Sequence, residues 1–183
     1  MTLKKDIFLK GDTLYLRPLH ETDISGKYRY WLNDPEIVQY NSHGRFPMTP
    51  DKLASFVELA KKSNTSLVLA VVDLETDLHI GNVSLQAINW IDRNAEIAFL
   101  LGEKDFWGKG VMLEAGTLLL QHGFNTLNLH RIYCATSAEN MGMQRLSEKL
   151  GMELEGRRKD AIFKQGNYHD IIEYGILNSN EIL

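Results

Sequence analysis

The stretch that most narrows the folding options runs from residue 95 to residue 111, Ala-Glu-Ile-Ala-Phe-Leu-Leu-Gly-Glu-Lys-Asp-Phe-Trp-Gly-Lys-Gly-Val. It reads as a strand, a short loop and a pair of glycines that open a helix. Val111, Ala115, Leu118, Leu119 and His122 then recur along one helical face. Such a helix start presents amides without intrahelical partners at the positive end of the dipole, a natural seat for phosphate. Glycines there let a ligand approach the main chain closely. Two familiar nucleotide motifs fail on spacing. A P-loop needs four residues between its glycines and then Lys-Ser/Thr, whereas five separate Gly102 from Gly108 and Gly110 follows Lys109. The dinucleotide fingerprint needs a third glycine, and Leu113 holds its place. An unliganded helix start remains an equal reading of Gly-Lys-Gly by itself.

The flanking pattern predicts a first strand over 13–17 and a helix over 23–31, ending in Asn33-Asp34-Pro35. A loop over 39–48 precedes Thr49-Pro50, a capping hydroxyl with proline at the first helical position. Leu53, Phe56, Val57 and Ala60 continue that helix as an apolar stripe. Strands follow over 66–73 and 79–88 around a turn at 74–77, then the strand over 95–101. Beyond the glycine helix come a strand over 131–136 and a helix over 140–150 closed by Gly151. A hairpin of 157–164 and 168–177 turns about Gln165-Gly166-Asn167. Helices around a mostly antiparallel sheet make an α+β domain. With no repeat or linker, the expectation is a single domain over 1–183.

Composition removes several functional classes. The net charge of −4 and pI near 5.9 argue against a broad surface for nucleic acid or anionic membrane. The longest apolar run, from Leu67 to Val72, is six residues, against roughly 20 needed to span a bilayer. The first residues carry lysines with no apolar stretch behind them, so no secretory signal is read there and a cytoplasmic location is expected. A lone cysteine, Cys134, leaves no internal disulfide and reads as a small buried residue. The six histidines show no metal-ligand spacing, and no metal is expected.

The run Asp105-Phe106-Trp107-Gly108-Lys109-Gly110 resembles the acyl-CoA pyrophosphate loop of the GNAT N-acetyltransferases, usually Arg/Gln-x-x-Gly-x-Gly/Ala. Its first position departs from that pattern, being acidic. Phe-Trp-Gly-Lys-Gly followed by Glu114-Ala115 is similar to the RimJ/RimL-type branch. So are Leu129-His130-Arg131-Ile132, Glu139-Asn140, Glu148-Lys149-Leu150-Gly151-Met152, Glu155-Gly156 and Gly166-Asn167-Tyr168-His169-Asp170.

The resemblance implies the GNAT fold: a mixed, mostly antiparallel sheet with two splayed central parallel strands, flanked by helices. It implies direct acetyl transfer from acetyl-CoA to a primary amine, with no metal. The backbone of Phe99, Leu100 and Leu101 would pair with the pantetheine arm. The amides of Phe106, Trp107, Gly108, Lys109, Gly110 and Val111 would hold the pyrophosphate. Asn140 would bond the cofactor or simply cap its helix. Glu96 is the candidate base, acting through water, or a plain strand carboxylate. Ser147 stands where many members carry a tyrosine acid, and Met143 where branch relatives often carry serine. The acceptor side is expected from the segment 31–48 and the last hairpin, with Trp31, Arg45 and Tyr168 as candidates. A protein N-terminus, a small amine and a nucleotide-linked amino sugar all stay open as acceptors. So does a module that binds acyl-CoA without chemistry, and the chain is expected as a monomer or homodimer.

Overall fold

In a computed structural model, which describes residues 6–178, one eight-stranded sheet organises the chain. Its strands are β1 (Leu9–Lys10), β2 (Leu14–Pro18), β3 (Leu67–Asp73), β4 (His79–Asn89), β5 (Asn94–Leu101), β6 (Arg131–Ser137), β7 (Glu153–Lys164) and β8 (Asn167–Leu177). The spatial order is β1-β2-β3-β4-β5-β6-β8-β7. Every neighbouring pair is antiparallel except β5 and β6, which run parallel. The helices are α1 (Glu21–Ser25), α2 (Tyr28–Trp31), α3 (Pro50–Lys62), α4 (Val111–Asn125) and α5 (Met141–Lys149).

The unbroken apolar run of β3 is explained by cover on both faces. Leu69 and Val71 point into a cluster with Val111, Ala115, Leu119 and Leu120 of α4. Ala70 and Val72 point into a second cluster with Tyr28, Trp31, Leu53 and Val57 of α2 and α3. A strand buried on both sides has no polar residue to alternate with. Each large side chain so enclosed contributes about 1.5–3 kcal/mol. The sheet therefore separates an α4/α5 face from an α1–α3 face.

Three expectations change. The helix read over 23–31 breaks at Gly26, whose backbone is extended, into α1 and α2. Glycine is a poor helix interior residue, and Asp23 at the head of α1 accepts the His20 amide at 2.7 Å, fixing a separate start. The hairpin read from 157 begins at Glu153. Its register shifts at Leu154/Gly156 and Arg158/Ile162, and an exposed, charge-rich edge strand shows no alternation to read. The two-residue β1 is too short for any periodicity. Where the expected cap is present, it works as read: Thr49 Oγ1 accepts the Lys52 amide at 3.3 Å, with Pro50 opening α3.

Candidate active site

The two parallel strands part almost at once. β5 and β6 pair through Asn94–Arg131, Ala95–Ile132 and Glu96–Tyr133 only, whereas β5 stays paired with β4 as far as Leu101. β6 likewise stays paired with β8 to Ser137. Beyond Glu96, the edge of β5 along Phe99–Leu101 is no longer paired with β6 and faces a gap that an extended ligand can enter as an added strand, although the Leu101 carbonyl already accepts the Trp107 indole N–H at 3.2 Å.

At the outer end of this gap lies the glycine loop. The Phe106 amide donates to the Glu103 carbonyl at 3.0 Å, the Trp107 amide to Lys104 at 3.0 Å and the Lys109 amide to Phe106 at 3.3 Å. Those three donors are spent inside the loop. The amides of Gly108, Gly110 and Val111 find no acceptor among the described residues, and they cluster where α4 begins. Gly108 and Gly110 have φ of +74° and +81°, which L side chains resist, and open space where a Cβ would stand. This open cradle of donors at a helix N-terminus suits a pyrophosphate. The loop is braced from below. Trp107 Nε1 donates to the Leu101 carbonyl at 3.2 Å, and Lys109 Nζ lies 5.4 Å from the Phe106 ring centre. Lys104 pairs with Asp34 at 3.0 Å and Glu36 at 2.5 Å. Glu114 receives the Asp12 and Thr13 amides at 2.5 and 2.9 Å, tying the head of α4 to the β1–β2 turn.

Glu96 occupies the fork itself. It alternates with Ile97 and Phe99, which pack with α4, and shares the α1–α3 side with Leu100. The side chain is half-buried. Burial pushes its carboxyl above the ordinary carboxylate value, and the charge of Arg158 only partly opposes this. A carboxylate so raised is a better proton acceptor.

Asn140 caps α5: its Oδ1 accepts the Met143 amide at 3.1 Å, and its Nδ2 donates to Thr136 Oγ1 at 3.1 Å. Each polar atom keeps capacity for one further bond. Ser147 is 0% exposed; its hydroxyl donates to the Met143 carbonyl at 3.0 Å and lies 3.3 Å from Cys134 Sγ. The structure thus places it in the α5–β6 packing. Cys134 is buried in the main core, and burial raises its thiol.

On the α1–α3 side the structure brings Arg45 and Tyr168 together but not Trp31. Arg45 donates to the Phe163 carbonyl at 3.3 Å, and the Phe163 and Tyr168 rings are 5.0 Å apart. Trp31 is only 4% exposed; its Nε1 donates to Glu103 at 3.0 Å, and its ring meets His79 at 5.0 Å. It is a wedge beneath the cofactor loop. Between residues 39–40, the end of β6 and the β7–β8 hairpin lies a cleft of about 110 Å³, lined by Gln39, Tyr40, Ser137, Glu139, Lys164 and His169. Glu139 pairs with His169 Nδ1 at 3.0 Å. Glu139 and Lys164 line this cleft without having been singled out for it in the sequence, where nothing local pairs them. A larger groove of about 550 Å³ lies between α1 and α3, with no residue of the glycine loop or the hairpin on its walls.

The family model for the GNAT acetyltransferase domain matches residues 13–153. The chain belongs to this family. It is 31% identical to the spermidine N(1)-acetyltransferase of Vibrio cholerae, over 93% of this chain and 90% of that protein. The crystal structure of the Vibrio cholerae spermidine N-acetyltransferase in complex with CoA and spermine superposes with a TM-score of 0.83 at 28% identity, covering 91% of this chain and 96% of that one. A RimL ribosomal L7/L12 alpha-N-protein acetyltransferase in complex with coenzyme A gives 0.84 at 20% identity, covering 93% and 97%, a likeness of fold. The chain is an N-acetyltransferase that takes acetyl-CoA as co-substrate. The splayed strands and the open glycine cradle are the features of this GNAT domain that fit it. Among the described residues no group of three metal-ligating side chains converges, and no helix is long and apolar enough to cross a membrane.

Proposed function

We propose that this acetyltransferase modifies a primary amine carried on a slim aliphatic chain, with Glu96 as the base. Acetyl-CoA supplies the activated acetyl thioester when bound. The remaining tasks fall to the chain. The amides of Gly108, Gly110 and Val111 hold the pyrophosphate, and the free edge of β5 at Phe99, Leu100 and Leu101 aligns the amide-bearing arm. The acceptor approaches from the α1–α3 side, where Glu96 stands at the fork. An amine arrives as ammonium and must lose a proton before it attacks; a water held by the Glu96 carboxylate takes it. A C–N bond then forms, the C–S bond breaks, and the nitrogen, positively charged after attack, sheds its second proton to solvent, leaving a neutral amide. With the Ser147 hydroxyl committed to Met143, the departing thiolate takes its proton from solvent.

The observation that carries the acceptor class is the fate of the loop cations. A phosphate-bearing amino sugar would need Arg45 free, and Arg45 is turned onto the Phe163 carbonyl. Lys164 is turned onto loop carbonyls in the same way. The nearby cleft offers the Glu139 carboxylate and about 110 Å³, room for an aliphatic amine arm. The likeness to a spermidine acetyltransferase supports the same class. The test offers spermidine, spermine, N-terminal peptides and a nucleotide amino sugar at equal concentration, read by mass spectrometry of the acetylated product. Spermidine or spermine should dominate; peptide or amino-sugar product in excess would overturn the acceptor class.

A further inference from the structure

We propose that Lys164 is a positioning residue that fastens the 38–45 loop onto the β7–β8 hairpin and so sets the shape of the acceptor cleft. Its ammonium donates to the carbonyls of Val38, Asn41 and His43, with the last two at 2.5 and 3.4 Å. An ammonium has three protons to give, and three carbonyls receive them. Few other hydrogen bonds order the loop, and they are local: the Val38 amide reaches the Asp34 carbonyl, the Asn41 amide the Val38 carbonyl and the His43 amide the Asn41 side-chain oxygen. The loop answers in kind, with Arg45 donating to the Phe163 carbonyl beside Lys164. Lys164 is half-buried, and it lines the same cleft as Gln39 and Tyr40 of the loop. Charge-assisted bonds of this type are about twice as strong as neutral ones. Without them the loop has little to hold Gln39 and Tyr40 opposite Glu139 and His169.

This inference rests on the acceptor side assigned above, so its test has an arm independent of turnover. Wild type, Lys164→Met and Lys164→Arg are treated with limiting trypsin, and cleavage after Arg45 is timed by mass spectrometry. Lys164→Met should be cut several-fold faster, and Lys164→Arg close to wild type. Equal cutting of Lys164→Met and wild type overturns the fastening. In the kinetic arm, KM for spermidine should rise about tenfold or more in Lys164→Met, the scale of one lost charge-assisted contact. KM for acetyl-CoA should stay within about twofold, and kcat at saturating spermidine should be largely kept, because a loosened wall weakens acceptor binding and leaves the reacting groups in place. Faster cutting with an unaltered spermidine KM would overturn the cleft-shaping role. Failure of the acceptor reading shows separately, as wild type that does not acetylate spermidine.

Discussion

The donor side and the acceptor side of this enzyme are built by different means. The donor side is nearly one contiguous segment: β5, the loop and α4, from Asn94 to Asn125. Its chemistry is main-chain chemistry, free amides and a free strand edge, set by positive-φ glycines. The acceptor side as proposed joins residues more than a hundred positions apart. Side chains reaching over to carbonyls hold it, Lys164 to His43 and Arg45 to Phe163 among them. A site made of backbone is dictated by local sequence and tolerates exchange of most side chains. A site made of long-range side-chain contacts is free to differ between relatives that share the first. That division lets one co-substrate serve many acceptors.

The sharpest break of this comparison is at the fork. Glu96→Gln keeps shape and removes the base, so kcat/KM for the amine should fall about 10²–10⁴-fold while acetyl-CoA affinity holds. The pH profile sets the sign. Burial raises the Glu96 carboxyl, and the base works only when deprotonated, so activity climbs as pH rises through a point higher than the group's ordinary value. That limb should vanish in the Gln variant. A retained limb with wild-type turnover would return Glu96 to a purely structural strand position.

The donor side is challenged at Gly110. With φ at +81°, valine would have to twist the loop, and its branched side chain would enter the space beside the free amides. Acetyl-CoA binding should weaken by about 1–3 kcal/mol, roughly 5- to 150-fold. Calorimetry on the folded variant reads this directly. Undiminished affinity would move the phosphate seat elsewhere. Glu96→Gln and Gly110→Val should thus separate cleanly, one acting on turnover and the other on donor affinity.

The same division governs what the sequence could disclose. Strand, loop, paired glycines and helix stripe are periodic and adjacent, so the glycine loop could be read from residues 95–122, the α+β class from the order of strands and helices along the whole chain, and the splayed strands from the resemblance. The acceptor wall could not. Lys164 lies 121 to 126 positions from the carbonyls it bonds, and no pattern in a single sequence pairs them. Trp31 illustrates the converse. Its place in the segment 31–48 points to the acceptor surface, yet its indole donates to Glu103 and sits beneath the glycine loop. Composition reports which groups are near in sequence, and long-range bonds decide where they point.

The smallest effect is expected at Ser147, which lies between the two sides. By position in the resemblance it is the place for an acid; by geometry it is a packing residue whose proton is committed to Met143. Its other neighbour, Cys134, is a thiol that burial pushes up, with the charges of Glu96 and Glu155 acting in the same sense, so it is a poor partner for that proton. A serine hydroxyl is also a far weaker acid than the thiol it would have to protonate. Ser147→Ala deletes one buried hydrogen bond and leaves the Met143 carbonyl to its helix, a loss of about 0.5–1.5 kcal/mol in stability. Turnover should fall about tenfold or less, with an unchanged pH profile, because solvent still supplies the proton. A loss beyond about a thousandfold, with the variant still folded, would have the scale of lost acid–base catalysis. It would mean that substrate binding rotates the hydroxyl out of the α5–β6 packing, and the acid would then belong to the chain rather than to water.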